Sequence, residues 1–187
     1  MSHDWDVLAT GYQLAEAPTI DTDRSLLFSD VLGGGVYRLA PRGEVTTVVP
    51  KRRGVGGLSL HADGGVVCSG RDVVHVRDGD TRTVLHVDGV AGWNDLCADK
   101  AGRVYAGALR FAVFDRDAEE VPGELWRVAF EGGPAALFDG VVHANGVALS
   151  PDEQTIYLSD TRARVVIAYD FARETRRTFD MAAHGLP

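Results

Sequence analysis

The chain has 187 residues and carries 27 acidic against 19 basic side chains, a net charge of −8. This acidic balance argues against nucleic acid or an anionic membrane as the main partner. No apolar stretch approaches the roughly 20 residues of a membrane helix, and the first residues lack the pattern of a secretion signal. Cys68 and Cys97 form neither a metal-type pair nor a disulfide framework, so a reducing cytoplasm is the expected location.

Short runs of valine, leucine, isoleucine and tyrosine, with 22 glycines, favour strands and tight turns over helices. In chain order, a pattern of apolar strand, polar turn, apolar strand and a final Asp or Gly recurs at residues 19–30, 58–70, 96–107 and 147–160. A second predicted hairpin follows each of these segments. The end points of the first hairpins, Asp30, Gly70, Gly107 and Asp160, lie 40, 37 and 53 residues apart.

Two hairpins per repeat make four strands in about 40 residues, which is the size of a β-propeller blade. The sequence therefore predicts an all-β fold, a β-propeller of four-stranded antiparallel blades forming a single domain over residues 1–187. The blades are expected at about residues 15–50, 55–90, 93–140 and 144–181, with an insertion at 110–122. An antiparallel sandwich of similar meanders is the alternative, but it would not require both hairpins to recur in step.

Three polar residues precede the repeated motif at matching offsets in different blades: Glu16, Asn94 and Asn145. Because the first strand of each blade lies nearest the central channel, these side chains are expected to meet at one mouth of it. The second blade carries Gly56 and Gly57 there, which leaves space. Carboxylate and amide oxygens suit one divalent metal ion, namely Ca²⁺, Zn²⁺, Mg²⁺ or Mn²⁺. Taken singly, each residue also fits a simpler role, a turn for either asparagine or a solvated charge for Glu16.

Four segments carry a family resemblance: EAPTID…LLFSD at 16–30, WNDLCADKAGRVYAG at 93–107, PGELWRV at 122–128 and ANGVALSPDEQTIYLSDT at 144–161. They resemble the SMP-30/gluconolactonase/LRE family, six-bladed propellers with a divalent metal in the channel. The resemblance implies that Glu16 and Asn145 are metal ligands and that Asn94 contacts the substrate. The family's third ligand, an aspartate that also serves as the proposed catalytic base, is expected immediately after Pro187.

The chain departs from the family pattern at the pocket. Regucalcin-type members have an arginine at the place of Gly92, and the Trp93 indole beside it is expected to offer substrate an apolar or stacking surface. The family often has a glycine where this chain has Ala17. The insertion at 110–122 is expected to form a lid or wall over the site, while His143 is expected to pack at the start of a strand rather than reach the channel.

The resemblance implies a metal-dependent hydrolase that opens a sugar or related lactone with metal-activated water, a small-molecule lactone or ester being the partner. Six blades would need roughly 270 residues at this period, so the chain is expected to be partial, its reading frame continuing with Asp-Gly. With the base beyond Pro187, the chain as given is expected to be at best a very weak enzyme. Two alternatives stay open: another ester or phosphotriester hydrolase on the same scaffold, and a non-catalytic propeller with a structural metal.

Overall fold

The computed structural model describes residues 5–129 and 133–185. Its strands form four separate sheets, and each sheet is an antiparallel meander of four strands in chain order. This is the blade of a β-propeller, so the predicted all-β propeller of four-stranded blades is confirmed. No helix in the described ranges is long and apolar enough to cross a membrane.

Blades 1 and 2 come from the first half of the chain. Blade 1 contains β1 (Ala15–Ile20), β2 (Leu26–Asp30), β3 (Val36–Leu39) and β4 (Val45–Val49). Blade 2 contains β5 (Leu58–Leu60), β6 (Val66–Cys68), β7 (Val73–Arg77) and β8 (Asp80–Leu85).

Blades 3 and 4 follow, and a short 3₁₀ turn at Ala182–His184 comes after the last strand. Blade 3 contains β9 (Gly92–Ala98), β10 (Val104–Leu109), β11 (Gly123–Ala129) and β12 (Gly133–Val141). Blade 4 contains β13 (Ala144–Leu149), β14 (Thr155–Asp160), β15 (Val165–Asp170) and β16 (Thr175–Asp180).

Three apolar clusters hold the blades together, and each lies between two blades that follow one another in the chain. The first joins blades 1 and 2 through residues such as Leu27, Val36, Leu58 and Val74. The second joins blades 2 and 3 through Val67, Leu85, Leu96 and Val104, and the third joins blades 3 and 4 through Tyr105, Leu125, Ile156 and Leu158. Strand alternation puts apolar side chains on both faces of the middle blades, and burying those faces drives the stacking.

The insertion at residues 110–122 lies between β10 and β11 and contains no strand. Arg110 at its base forms an ion pair with Glu124 of β11, Nη2 to Oε1 2.8 Å. Glu120 near its other end lies 3.3 Å from Arg162, which follows the second strand of blade 4. Both partners of that second pair are about half exposed, so it adds little stability. The insertion thus reaches from blade 3 to blade 4.

The second strands of blades 1 and 4 each end in a buried aspartate. Its carboxylate binds the backbone segment that leads into the inner strand of the same blade. The Asp30 carboxylate accepts N–H groups from Gln13, Leu14 and Gly33 at 2.9–3.1 Å. The Asp160 carboxylate accepts from Val142 and His143 in the same way, at 2.7 and 3.1 Å. Because each aspartate fixes the chain just before an inner strand, it also positions the polar side chain that the inner strand carries.

We expect Asp30→Asn to destabilise the protein by about 2 to 3 kcal/mol, because an amide cannot accept every N–H that the carboxylate accepts. Burial by itself favours the neutral acid, but the N–H donors outweigh it and hold the pKa of Asp30 below its usual value. This contribution is present above the unfolded-state pKa of about 3.9 and is lost as pH falls through the lower folded pKa. Urea unfolding at about pH 7 and about pH 3 measures both effects.

The exposed Asp80, changed to Asn, is the matched control, and its urea midpoint should not move. Equal stability of Asp30→Asn and the parent protein at about pH 7 would contradict the assigned role.

Candidate functional site

A bulge occurs in the inner strand of blades 1, 3 and 4, beside or at each predicted site residue. In β1 the register shifts between Glu16 and Thr19. In β9 Asn94 and the residue after it together oppose a single residue of β10, and in β13 Asn145 and Gly146 do the same against β14. Bulges re-aim side chains next to functional sites.

One cavity of about 500 Å³ lies where the inner strands begin. Its lining includes Glu16 from blade 1, Trp93 and Asn94 from blade 3, and Asn145 from blade 4. All four residues proposed from sequence therefore meet at a single cavity, although more than a hundred residues separate the first from the last. Pro187, after which the expected base would lie, falls outside the described residues.

The two proposed metal ligands have oxygen atoms available for a cation. The Glu16 carboxylate is exposed and makes no hydrogen bond or ion pair with residues 5–129 or 133–185. The Asn145 amide donates from Nδ2 to Thr161 Oγ1 at 3.3 Å, which leaves Oδ1 unused by that bond. A carboxylate and an amide oxygen are hard donors, so the set fits a hard divalent cation. Within the described ranges no cluster of three or more His, Cys, Asp or Glu side chains could hold a metal by itself.

Asn94 is held between three blades. Its Nδ2 donates to the Ala144 carbonyl of blade 4 at 2.8 Å. Its Oδ1 would lie only 2.0 Å from a Cβ added to Gly56 of blade 2. The space expected at Gly56 is therefore taken up by the Asn94 amide, and any side chain there would displace it.

Asp95 was missed as a site residue by the sequence analysis. Its Oδ2 accepts the Val147 N–H at 2.6 Å and its Oδ1 accepts the Leu96 N–H at 2.8 Å. Burial raises the pKa of Asp95, and the nearby negative charge of Glu16 adds to the rise. Together with Asn94, Asp95 secures β13 on both sides of Asn145. Its place next to Asn94 in the repeat was the available signal.

The prediction that the Trp93 indole offers the substrate a stacking surface was wrong. The Trp93 side chain belongs to the cavity wall but is only 1% exposed, because it packs among the apolar residues between blades 2 and 3. Its ring meets Trp126 edge-on, with centroids 6.3 Å apart. The indole Nε1–H finds no acceptor within the described residues. Trp93 therefore supports the wall instead of offering a ring face to a ligand.

His143 reaches the cavity wall, contrary to the packing role expected from sequence. Burial lowers the pKa of His143, and the positive charge of Arg162 adds to the effect. The imidazole is therefore neutral near neutral pH. Its backbone N–H is held by Asp160, so the histidine is fixed two residues ahead of Asn145.

The remaining walls are largely apolar. The insertion contributes Phe111, Val113 and Phe114, while Leu14 and Val31 lie on the side of blade 1. The insertion thus forms the expected wall beside the cavity. Arg71 of blade 2 adds a positive charge to the lining.

The fold and this cavity define a β-propeller with a small-molecule-sized site at the mouth of its channel. The chain belongs to the SMP-30/gluconolactonase/LRE-like family, whose model matches residues 14–183.

Three named proteins are similar to this chain. A pentonolactonase of Haloferax volcanii is 29% identical over 90% of this chain and 57% of its own length. A 6-deoxy-6-sulfogluconolactonase of Pseudomonas putida is 30% identical over 93% of this chain and 63% of its own length. The solved structure of a gluconolactonase from Xanthomonas campestris has a TM-score of 0.80 at 24% identity, over 92% of this chain and 64% of that one. The chain thus spans less than two thirds of the length of each of these three proteins.

Proposed function

We propose that the protein is a metal-dependent hydrolase that opens a sugar or related lactone. The observation that carries the proposal is the free Glu16 carboxylate, which shares one cavity with the amides of Asn94 and Asn145. Family membership supports it, as do the two relatives named as lactonases.

Glu16 and Asn145 would hold one divalent cation, whether Ca²⁺, Zn²⁺, Mg²⁺ or Mn²⁺. Such a cation, when bound, polarises a carbonyl and lowers the pKa of water. The proposed ligands come from blades 1 and 4, so the stacking of the blades sets the distance between them. A metal site built in this way depends on the whole fold rather than on one loop.

Asn94 would orient the lactone. Because its Nδ2 is engaged by the Ala144 carbonyl, its Oδ1 is the atom left to accept a hydrogen bond from a substrate hydroxyl. Asp95 holds β13 in register through the Val147 N–H and so acts as a positioning residue. The apolar insertion wall would cover the non-reacting face of the ring and limit access of bulk water.

The proposal places the protein in the cytoplasm as a single domain. Both cysteines are free thiols, and burial raises the pKa of Cys68 to about 11 and that of Cys97 to about 12. Such thiols stay protonated near neutral pH and suit a purely structural role.

The test is a hydrolysis panel with the purified protein, with each of the four cations in turn. We expect ring opening of at least one gluconolactone or pentonolactone above the buffer rate, its loss on chelation and its return with metal. If the metal-loaded protein opens none of these lactones faster than buffer does, the proposal is overturned. Turnover of a phosphotriester alone would favour the other hydrolase, and metal binding without any turnover would favour a non-catalytic propeller.

A further inference from the structure

Arg71 is a free cation in the wall of the cavity. It lines the same space as Glu16, Asn94 and Asn145, and it has no hydrogen bond or ion pair with the described part of the chain. Other arginines near the cavity are occupied: Arg110, for example, is bound to Glu124. A guanidinium left unpaired beside a ligand cavity is available to a ligand.

The backbone directs Arg71 toward an open space. Gly70 and Trp93 form an isolated antiparallel bridge, with N–H to carbonyl distances of 2.7 and 3.3 Å. In an antiparallel pair, the residue after Gly70 lies opposite the residue before Trp93, so Arg71 lies opposite Gly92. Gly92 has no side chain, and a Cβ added to it would meet only the Gly70 carbonyl, at 3.6 Å. Gly92 therefore places no side chain in the space opposite Arg71.

Among residues 5–129 and 133–185, no acidic side chain forms an ion pair with Arg71. The carboxylate of the next residue, Asp72, is bound by Arg52 at 2.6 Å. The cavity lining around these polar groups is largely apolar and includes Val31, Leu109 and Phe111. Apolar walls lower the local dielectric and strengthen attraction between a guanidinium and an anion.

We propose that Arg71 binds an anionic substituent of the substrate, so that the preferred substrates are lactones bearing a carboxylate or a similar oxyanion away from the ring carbonyl. This inference rests on the proposed lactone hydrolysis. Because Asn94 is the residue proposed to orient the lactone ring, the anionic end binds at Arg71 and the ring lies toward Asn94. Arg71 is thus a specificity-determining residue that takes no part in the proton transfer.

The kinetic test compares D-glucaro-1,4-lactone, which carries a free carboxylate, with neutral D-glucono-1,5-lactone. We expect Arg71→Gln to raise KM for the anionic lactone by about 10- to 100-fold, the range for a lost charged hydrogen bond, and to change KM for the neutral one by less than about threefold. Arg71→Lys should recover part of the loss because it keeps the charge. Arg116→Gln, at an exposed insertion residue outside the cavity lining, is the matched control and should change neither KM.

A binding measurement separates this inference from the proposed hydrolysis. Titration calorimetry with D-glucarate and with neutral sorbitol should show glucarate binding that Arg71→Gln abolishes and that salt weakens. If no lactone is opened but glucarate binding still depends on Arg71, the hydrolysis proposal falls and the anion site stands. If lactones are opened and Arg71→Gln leaves both the glucarate affinity and the KM ratio of the two lactones unchanged, the anion site is overturned while hydrolysis stands.

Discussion

Glu16→Gln will weaken binding of a divalent cation by at least about 100-fold, the upper end of what losing even an outer partner of a metal site costs. The reason is that Gln keeps the shape but removes the only charged donor among the two proposed ligands. Metal titration by calorimetry measures the change directly. A cation-dependent rise in Tm, present in the parent protein because binding stabilises the folded state, should disappear in the variant.

Glu44→Gln is the control, since Glu44 is also exposed and lies outside the cavity lining. Its cation affinity should equal that of the parent. Unfolding in the absence of metal should be nearly the same for both variants and the parent, because within the described residues the Glu16 carboxylate forms no hydrogen bond or ion pair. Unchanged affinity in Glu16→Gln would remove Glu16 from the metal site.

Gly57→Ala should lower the free energy of unfolding by about 3 kcal/mol, the upper part of the usual range for overpacking. A Cβ at Gly57 would lie 2.4 Å from the Leu96 nitrogen and 2.7 Å from the Asp95 Cα. Both atoms belong to the backbone of the neighbouring blade, so no side-chain rotation can relieve the contact, and blades 2 and 3 must move apart. Urea unfolding measures the loss.

Gly56→Ala is the informative comparison, because the added methyl meets the end of a side chain instead of backbone. It would displace the Asn94 amide, whose Oδ1 lies 2.0 Å away, and break its bond to Ala144. We expect the free energy of unfolding to fall by about 1 kcal/mol, the value of one hydrogen bond, and substrate binding to weaken. If Gly57→Ala proved no more destabilising than Gly56→Ala, the close contact that the structure places between Gly57 and the backbone of β9 would be contradicted.

The family relationship and the blade architecture were both available from the sequence. Alternating apolar residues and turn residues are local signals, and their recurrence in step showed that one unit was repeated. The same repeat placed Asp30 and Asp160 at equivalent positions. In the structure they also have equivalent roles, since both carboxylates hold the backbone ahead of an inner strand.

Other features depend on contacts between blades, which no local pattern records. Asp95 serves as the acceptor for Val147 only because blade 4 lies against blade 3. Trp93 was expected at the substrate and is buried instead, since the apolar cluster between blades 2 and 3 takes up its ring. Arg71 attracted no notice in the sequence, because its position opposite Gly92 arises from a single bridge between two blades.

The sequence by itself determined the repeating unit, its strands and the polar residues that begin the inner strands, because these follow from local alternation and spacing. The tertiary structure alone decided which of those residues face a common space and which side chains complete its walls. Side-chain direction at the site is set by bulges and by packing between blades, and both are consequences of how the sheets stack.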